Sequence, residues 1–232
     1  MTGRRRLGIF GGTFDPIHIG HLDVAEAALR ALALDAVLLM PANVPPHRPT
    51  PRASAPHRFA MCALAIAGRE RLALLDLEML SSETSFTSTS LDRLAAHGLD
   101  TRRLFVVAGG DAFREIETWK DVPALLDRCH FAVVSRPGSP ASSLRTALPD
   151  LSRRMVDASP AVQPEGPPRI VLVEAPTAPV SSTEVRRRLA SGEGVSGLVP
   201  DAVAQYIAKH RLYGEKGSAI LGLEPSANRR ST

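Results

Sequence analysis

Short apolar runs and helix-periodic segments alternate along most of the chain. The runs at residues 7–10, 36–40, 72–75, 104–108, 131–134 and 170–173 are continuously apolar, the pattern of strands buried on both faces. Between them, residues 19–32, 55–67, 90–97 and 122–128 carry apolar positions at helical spacing. Ser54 ahead of Ala55-Pro56 reads as an N-cap with proline in the first turn, and Gly68 and Gly98 stand where helix-ending glycines belong. Strands alternating with helices predict an α/β fold with a doubly wound parallel sheet.

The pattern loosens at residues 137–168, which are rich in Pro, Ser and Gly and predict a long irregular connection with one short helix near 148–156. Beyond the last strand, Ser181 or Ser182 can cap a helix that runs to about residue 190 and stops at Gly192, and a final helix covers about 200–210. Residues 214–232 have little to pack and are expected to form a mobile tail, leaving 1–213 as a single domain. Gly192 to Gly197 spells G-x-G-x-x-G but follows a helix rather than a strand, so it is not a dinucleotide fingerprint.

A chain of 232 residues can bury a full core. No apolar run is long enough to span a bilayer, and the arginines at 4–6, expected as a solvated tip, do not lead into a signal peptide. Cys62 and Cys129 lack CxxC spacing and read as free buried thiols, which suits the reducing cytoplasm. The net charge of +4 is scattered and aromatics make up 4%, so no stacking platform for nucleic acid is visible. A modest basic excess suits small anionic substrates.

Candidate chemistry concentrates at Gly11-Gly12-Thr13-Phe14-Asp15-Pro16-Ile17-His18-Ile19-Gly20-His21, between the first strand and the first helix. Paired glycines let backbone approach an anion, and a helix start offers free N–H groups and a positive dipole end. His18 and His21, three apart, share a face and add donors. Asp15 with Pro16 shapes the turn. A second group lies in Ser182-Thr183-Glu184-Val185-Arg186: Thr183 and Arg186 share a face, and a cation in a first helical turn opposes the dipole unless an anion lies between them. Glu184 and Arg188 can pair at i,i+4.

The first group resembles the signature of nucleotidyltransferases with a HIGH-type motif, and the chain to Tyr213 is most similar to bacterial nicotinate-nucleotide adenylyltransferases. Pro45-Pro46-His47-Arg48, Ser85-Phe86-Thr87, Gly109-Gly110-Asp111, Trp119, Arg136-Pro137-Gly138 and Ser182-Thr183-Glu184-Val185-Arg186 follow in the family's order. The resemblance implies a Rossmann-like sheet with C-terminal helices and adenylyl transfer from ATP, with magnesium, to nicotinate mononucleotide in NAD biosynthesis. It implies His18, His21 and Arg186 as catalytic residues, with Gly11, Gly12, Thr13, Phe14, Ser182, Thr183 and Arg136 at ATP. His47, Arg48, Thr87, Gly109, Asp111 and Trp119 would hold the mononucleotide. No protein metal cage is expected, and a homo-oligomer is compatible with the sequence.

Several of these residues have plainer roles open to them. His47 and Arg48 can be an exposed basic loop, Trp119 the rim of the core, and Asp111 a helix cap. The family's Ser-Tyr-Thr is Ser85-Phe86-Thr87 here, without the phenolic hydroxyl, and Ser81 stands where an arginine is frequent. These departures leave nicotinamide mononucleotide open as acceptor. The order of Ser85-Phe86-Thr87 and Trp119 argues against phosphopantetheine, and intact His18, His21 and Arg186 argue against a non-catalytic nucleotide-binding regulator.

Overall fold

A computed structural model describes residues 5–46 and 50–214. His47 and Arg48, and the tail from residue 215, lie outside the described residues. The seven strands are β1 (Leu7–Gly12), β2 (Ala36–Pro41), β3 (Leu72–Leu74), β4 (Phe105–Gly109), β5 (His130–Val134), β6 (Met155–Asp157) and β7 (Ile170–Val173). They form one sheet in the order β3-β2-β1-β4-β5-β7-β6, parallel throughout. The helices are α1 (Ile19–Ala31), α2 (Ala55–Ile66), α3 (Thr87–Ala96), α4 (Gly110–Phe113), α5 (Leu144–Ala147), α6 (Ser182–Ala190) and α7 (Asp201–Lys209). The fold is a doubly wound, Rossmann-like α/β sheet with C-terminal helices.

Consecutive strand residues feed opposite layers. Val107, Ala132 and Val171 join the layer holding Leu22 and Ala25 of α1, Met61 of α2, Val185 of α6 and Ile207 of α7. Val106, Phe131 and Ile170 face Leu91 and Leu94 of α3, Phe113 of α4 and Leu144 of α5. This two-sided burial explains the unbroken apolar runs.

The chain winds outward from β1 through β2 to β3, then crosses back to β4 on the other side of β1. Pairing of β1 with β4 ends at Ile9↔Val106, while β1 stays paired with β2 as far as Gly12↔Pro41. The carboxyl ends of β1 and β4 therefore part, opening the crevice in which such sheets bind ligands.

The structure corrects the pattern reading in four places. The short helix expected near 148–156 is a 3-10 helix, Pro149–Arg154, and the last residues of that range instead begin the edge strand β6. The 122–128 helix shrinks to a 3-10 turn, Ala124–Asp127, following a positive φ of 65° at Asp121. Helix α3 starts at Thr87 rather than 90, with extended Phe86 as its N-cap. Of the arginines expected as a solvated tip, Arg5 is exposed but Arg6 is half-buried: its Nη2 donates to the Val162 carbonyl at 2.9 Å and its guanidinium lies 5.8 Å from the Phe105 ring centroid. Gly68 and Gly98 do take positive φ after their helices, and Cys62 and Cys129 are buried free thiols.

Candidate active site

The turn after β1 is fixed by its own aromatic ring. Phe14 takes a positive φ of 48° and buries its side chain. A Cβ on Gly12 would come within 2.8 Å of that ring, so Gly12 must stay without one. Asp15, 5% exposed, accepts from the Arg52 and Ala53 backbone N–H groups at 2.8 and 3.0 Å. It also accepts from the Tyr213 hydroxyl at 2.7 Å, which ties the end of the described chain to the turn. Burial and Asp15 together push the Tyr213 phenol well up, so it remains a donor.

Arg58 of α2 holds the same turn from below. It is 1% exposed, and its guanidinium donates to the carbonyls of Thr13 (2.7 Å), Ala42 (2.6 Å), Asn43 (3.2 Å) and Ala53 (3.2 Å). Burial lowers its pKa, opposed by Asp15, Cys62 and Tyr213. One cation thereby joins the loop after β1 to the loop after β2.

His18 is the extended N-cap residue of α1, and its backbone N–H donates to His21 Nδ1 at 3.3 Å. The neutral His21 ring must then carry its proton on Nε2, a donor. The two imidazoles stack with centroids 3.7 Å apart, and the Phe14 ring meets His21 edge-on at 5.0 Å. Gly20 allows this closeness: a Cβ there would lie 2.7 Å from Arg136 Nη1 and 3.2 Å from His18 Nδ1. His18 is 2% exposed, and burial followed by the Arg136 charge lowers its pKa to about 3. His21 lies well below its ordinary value through burial, then His18, then Arg136. Both rings are neutral at pH 7.

A pH dependence follows. Unfolded imidazoles protonate near 6.5, whereas folded His18 does so only near 3, so between those values the unfolded chain binds more protons. The stability contributed by neutral His18 is complete above about pH 6.5 and is lost as pH falls toward 3, and His21 acts in the same direction. Urea midpoints measured from pH 7.5 to 4.5 should decline, and His18→Asn should flatten the decline.

Helix α6 delivers the second group to the same place. Ser181 is its cap, accepting from the Glu184 N–H at 3.1 Å, while Ser182 Oγ donates to the Pro16 carbonyl at 2.9 Å. Arg186 donates to the Asp15 carbonyl at 2.6 Å and to Thr183 Oγ1 at 3.2 Å. Glu184 pairs with Arg188 at 2.8 Å, and Arg187 bridges Glu184 and Glu193 on the exposed face. Arg136 bonds the carbonyls of Gly20 (3.0 Å) and Val180 (2.9 Å), so it braces α1 against the segment entering α6.

On the other side of the β1 turn lies a cavity of about 310 Å³. Gly11, Gly12, Thr13, Thr87, Gly109 and Trp119 line it, with an apolar wall that includes Leu91, Leu94 and Val106. Trp119 is half-buried, packing edge-on against Phe131 at 6.3 Å while lining the cavity. Asp111 is exposed in the first turn of α4 and is not among the lining residues. His18, His21, Ser182, Thr183 and Arg186 gather instead beyond the turn.

A family model described as cytidylyltransferase-like matches residues 9–188, spanning both the turn and α6. The chain is 41% identical over 212 residues to the probable nicotinate-nucleotide adenylyltransferase of Pseudomonas aeruginosa, covering 90% of this chain and 97% of that one. The chain belongs to the cytidylyltransferase-like family and groups with the nicotinate-nucleotide adenylyltransferases. The corresponding protein of Cronobacter sakazakii is 39% identical over 209 residues, with 88% and 94% covered. Among solved structures, the Plasmodium falciparum nicotinic acid mononucleotide adenylyltransferase complexed with NaAD superimposes with a TM-score of 0.70 at 19% identity, covering 90% of this chain and 98% of that one. That likeness bears on the fold.

Two residues of this adenylyltransferase-like site escaped sequence reasoning. Arg58 was unreadable because its four partners come from three separate stretches of chain. Glu78, 1% exposed, lines the cavity, accepts from Ser90 Oγ and lies 3.6 Å from Arg93 Nη1. Arg93 also donates to Ser81 Oγ at 2.7 Å, so α3 brings a guanidinium beside the position where Ser81 replaces the family's frequent arginine.

Proposed function

We propose that the chain joins nicotinate mononucleotide to the adenylyl group of ATP, releasing pyrophosphate and forming nicotinate adenine dinucleotide for NAD biosynthesis. A phosphate oxygen of the mononucleotide attacks the α-phosphorus of ATP. The new P–O bond forms as the bond to the bridging α–β oxygen breaks, and its electron pair leaves with pyrophosphate. The attacking phosphate has a second pKa of about 6, so it is mostly dianionic at pH 7 and needs no general base. Alignment and charge stabilisation carry the catalysis.

His18 and His21, held neutral, donate hydrogen bonds to α-phosphate oxygens as charge builds there. Backbone N–H groups at Thr13 and Phe14 add to them. Arg186 spends two of its five N–H donors on Asp15 and Thr183. The rest reach toward the β- and γ-phosphates, with Ser182 and Thr183 at the start of α6. Arg136 supports this site by bracing Gly20 and Val180. Trp119 supplies a face for the pyridinium ring, and Thr87 an N–H for its carboxylate. Gly109 keeps the β4 end open, and Asp111 beside it accepts from a ribose hydroxyl; His47 and Arg48 are assigned to the acceptor phosphate by sequence alone.

Among the described residues no group of three or more His, Cys, Asp or Glu is placed to hold a metal, and the Asp15 carboxylate already takes three donors. This donor set fits magnesium that would be carried by the triphosphate and water and would neutralise leaving-group charge. Buried Cys62 and Cys129 support a cytoplasmic setting.

The observation that carries the reading is the shared turn: Gly11 to Thr13 wall the cavity, and the same loop runs on to the stacked histidines and receives Arg186. Pyrophosphate release with magnesium and ATP, assayed beside nicotinate mononucleotide, nicotinamide mononucleotide and phosphopantetheine, tests it. Fastest release is expected with nicotinate mononucleotide; ATP binding without release on any acceptor would favour a regulator.

A further inference from the structure

The acceptor cavity has three charged side chains among its described lining residues: Glu78, Glu115 and Lys120. Lys120 is the cation of this set, and it directly follows Trp119. Its Nζ sits 5.0 Å from the centroid of the Phe86 ring, and it takes part in none of the ion pairs among the described residues.

Phe86 is also the N-cap of α3, with no side-chain cap bond and no acid in the first turn, so the helix's opening N–H groups lack both. Beside it, Ser85 Oγ is buried with no hydrogen-bond partner. An ammonium, a hydroxyl and uncapped amides therefore collect around one ring at the wall of a cavity that apolar Leu91, Leu94 and Val106 also line. A flat aromatic acid matches both parts. Glu78 is engaged from α3 instead, accepting from Ser90 Oγ and lying 3.6 Å from Arg93 Nη1.

Resting on the adenylyl-transfer reading, we propose that Lys120 is the specificity-determining residue that selects a pyridine carboxylate over the corresponding carboxamide. Its ammonium lies over the ring of Phe86, in a Ser-Phe-Thr segment that offers no phenolic hydroxyl of its own. An ammonium favours the anion strongly and the neutral amide weakly, which is the difference discrimination requires.

The test compares Lys120→Met and Lys120→Arg with the wild-type full chain, using nicotinate and nicotinamide mononucleotides with saturating magnesium ATP. Lys120 is exposed, so both variants should fold. Lys120→Met is expected to cut kcat/KM for the acid about tenfold or more, the size of one charge-assisted hydrogen bond, mostly through KM. The amide should change by less than about twofold, and Lys120→Arg should retain most of the preference. Equal losses on both acceptors would overturn the proposal, placing Lys120 at their common phosphate; so would an unchanged ratio. Wild type inactive on both acceptors would defeat the reaction assigned above instead, and calorimetric binding of the two mononucleotides to wild type and Lys120→Met would still read the selectivity.

Discussion

Replacing His18 with alanine is expected to lower kcat at saturating ATP and acceptor by about 100- to 1,000-fold, the typical cost of one preorganised donor to a developing oxyanion. His18 is the cleaner choice of the pair. Truncating His21 also removes the Nδ1 that accepts the His18 N–H, and with it a cap of α1. Because the proposed donor acts on charge that develops during transfer, KM for ATP should move little. Loss of affinity with kcat intact would make the pair a ground-state binding element. Unchanged kinetics would remove it from the reaction.

The second large effect is on stability. Arg58→Met should destabilise the fold by about 3–5 kcal/mol, because a buried guanidinium's four carbonyl acceptors and the neighbouring Asp15 lose their compensating charge together. Arg58→Lys should not rescue it, since a single ammonium cannot span carbonyls from Thr13, Ala42 and Asn43. Denaturant unfolding measures both. A loss below about 1 kcal/mol in either variant would mean that the loops after β1 and β2 hold their shape without the clamp. Any of either variant that folds should show lower kcat as well, since Thr13 belongs to the turn proposed to hold the α-phosphate.

These two residues mark what sequence can and cannot disclose. The strand-turn-helix at Gly11–His21 was legible because its chemistry is local: glycines, a helix start and two histidines are neighbours in the chain. The same holds for Ser181 to Arg186, whose cap and shared face are set by spacing. Five of the strands are long and apolar enough to announce themselves, and β3 is a short run that does so too. Met155–Asp157 is not, because an edge strand of three residues beside a proline-rich stretch buries little. Phe86 capping α3 was missed because an aromatic ring there gives no capping signal. Arg58 and Glu78 are invisible for a different reason. Their partners converge only after the sheet has formed, and on paper they are ordinary charged positions on or near a helix.

Lys120 belongs with them. As a residue it is an unremarkable surface lysine, and it gains meaning only when α3 places Phe86 beneath its ammonium.

In the proposed mechanism one turn, carrying His18 and His21 and met by Arg186, aligns the α-phosphate of ATP for direct attack by the acceptor phosphate. ATP labelled at the α-phosphorus, mixed with nicotinate mononucleotide and magnesium in a single turnover, tests it most directly. Label is expected to pass to nicotinate adenine dinucleotide as unlabelled pyrophosphate appears, with none on the protein. Label held on the protein, or released only as AMP, would contradict it.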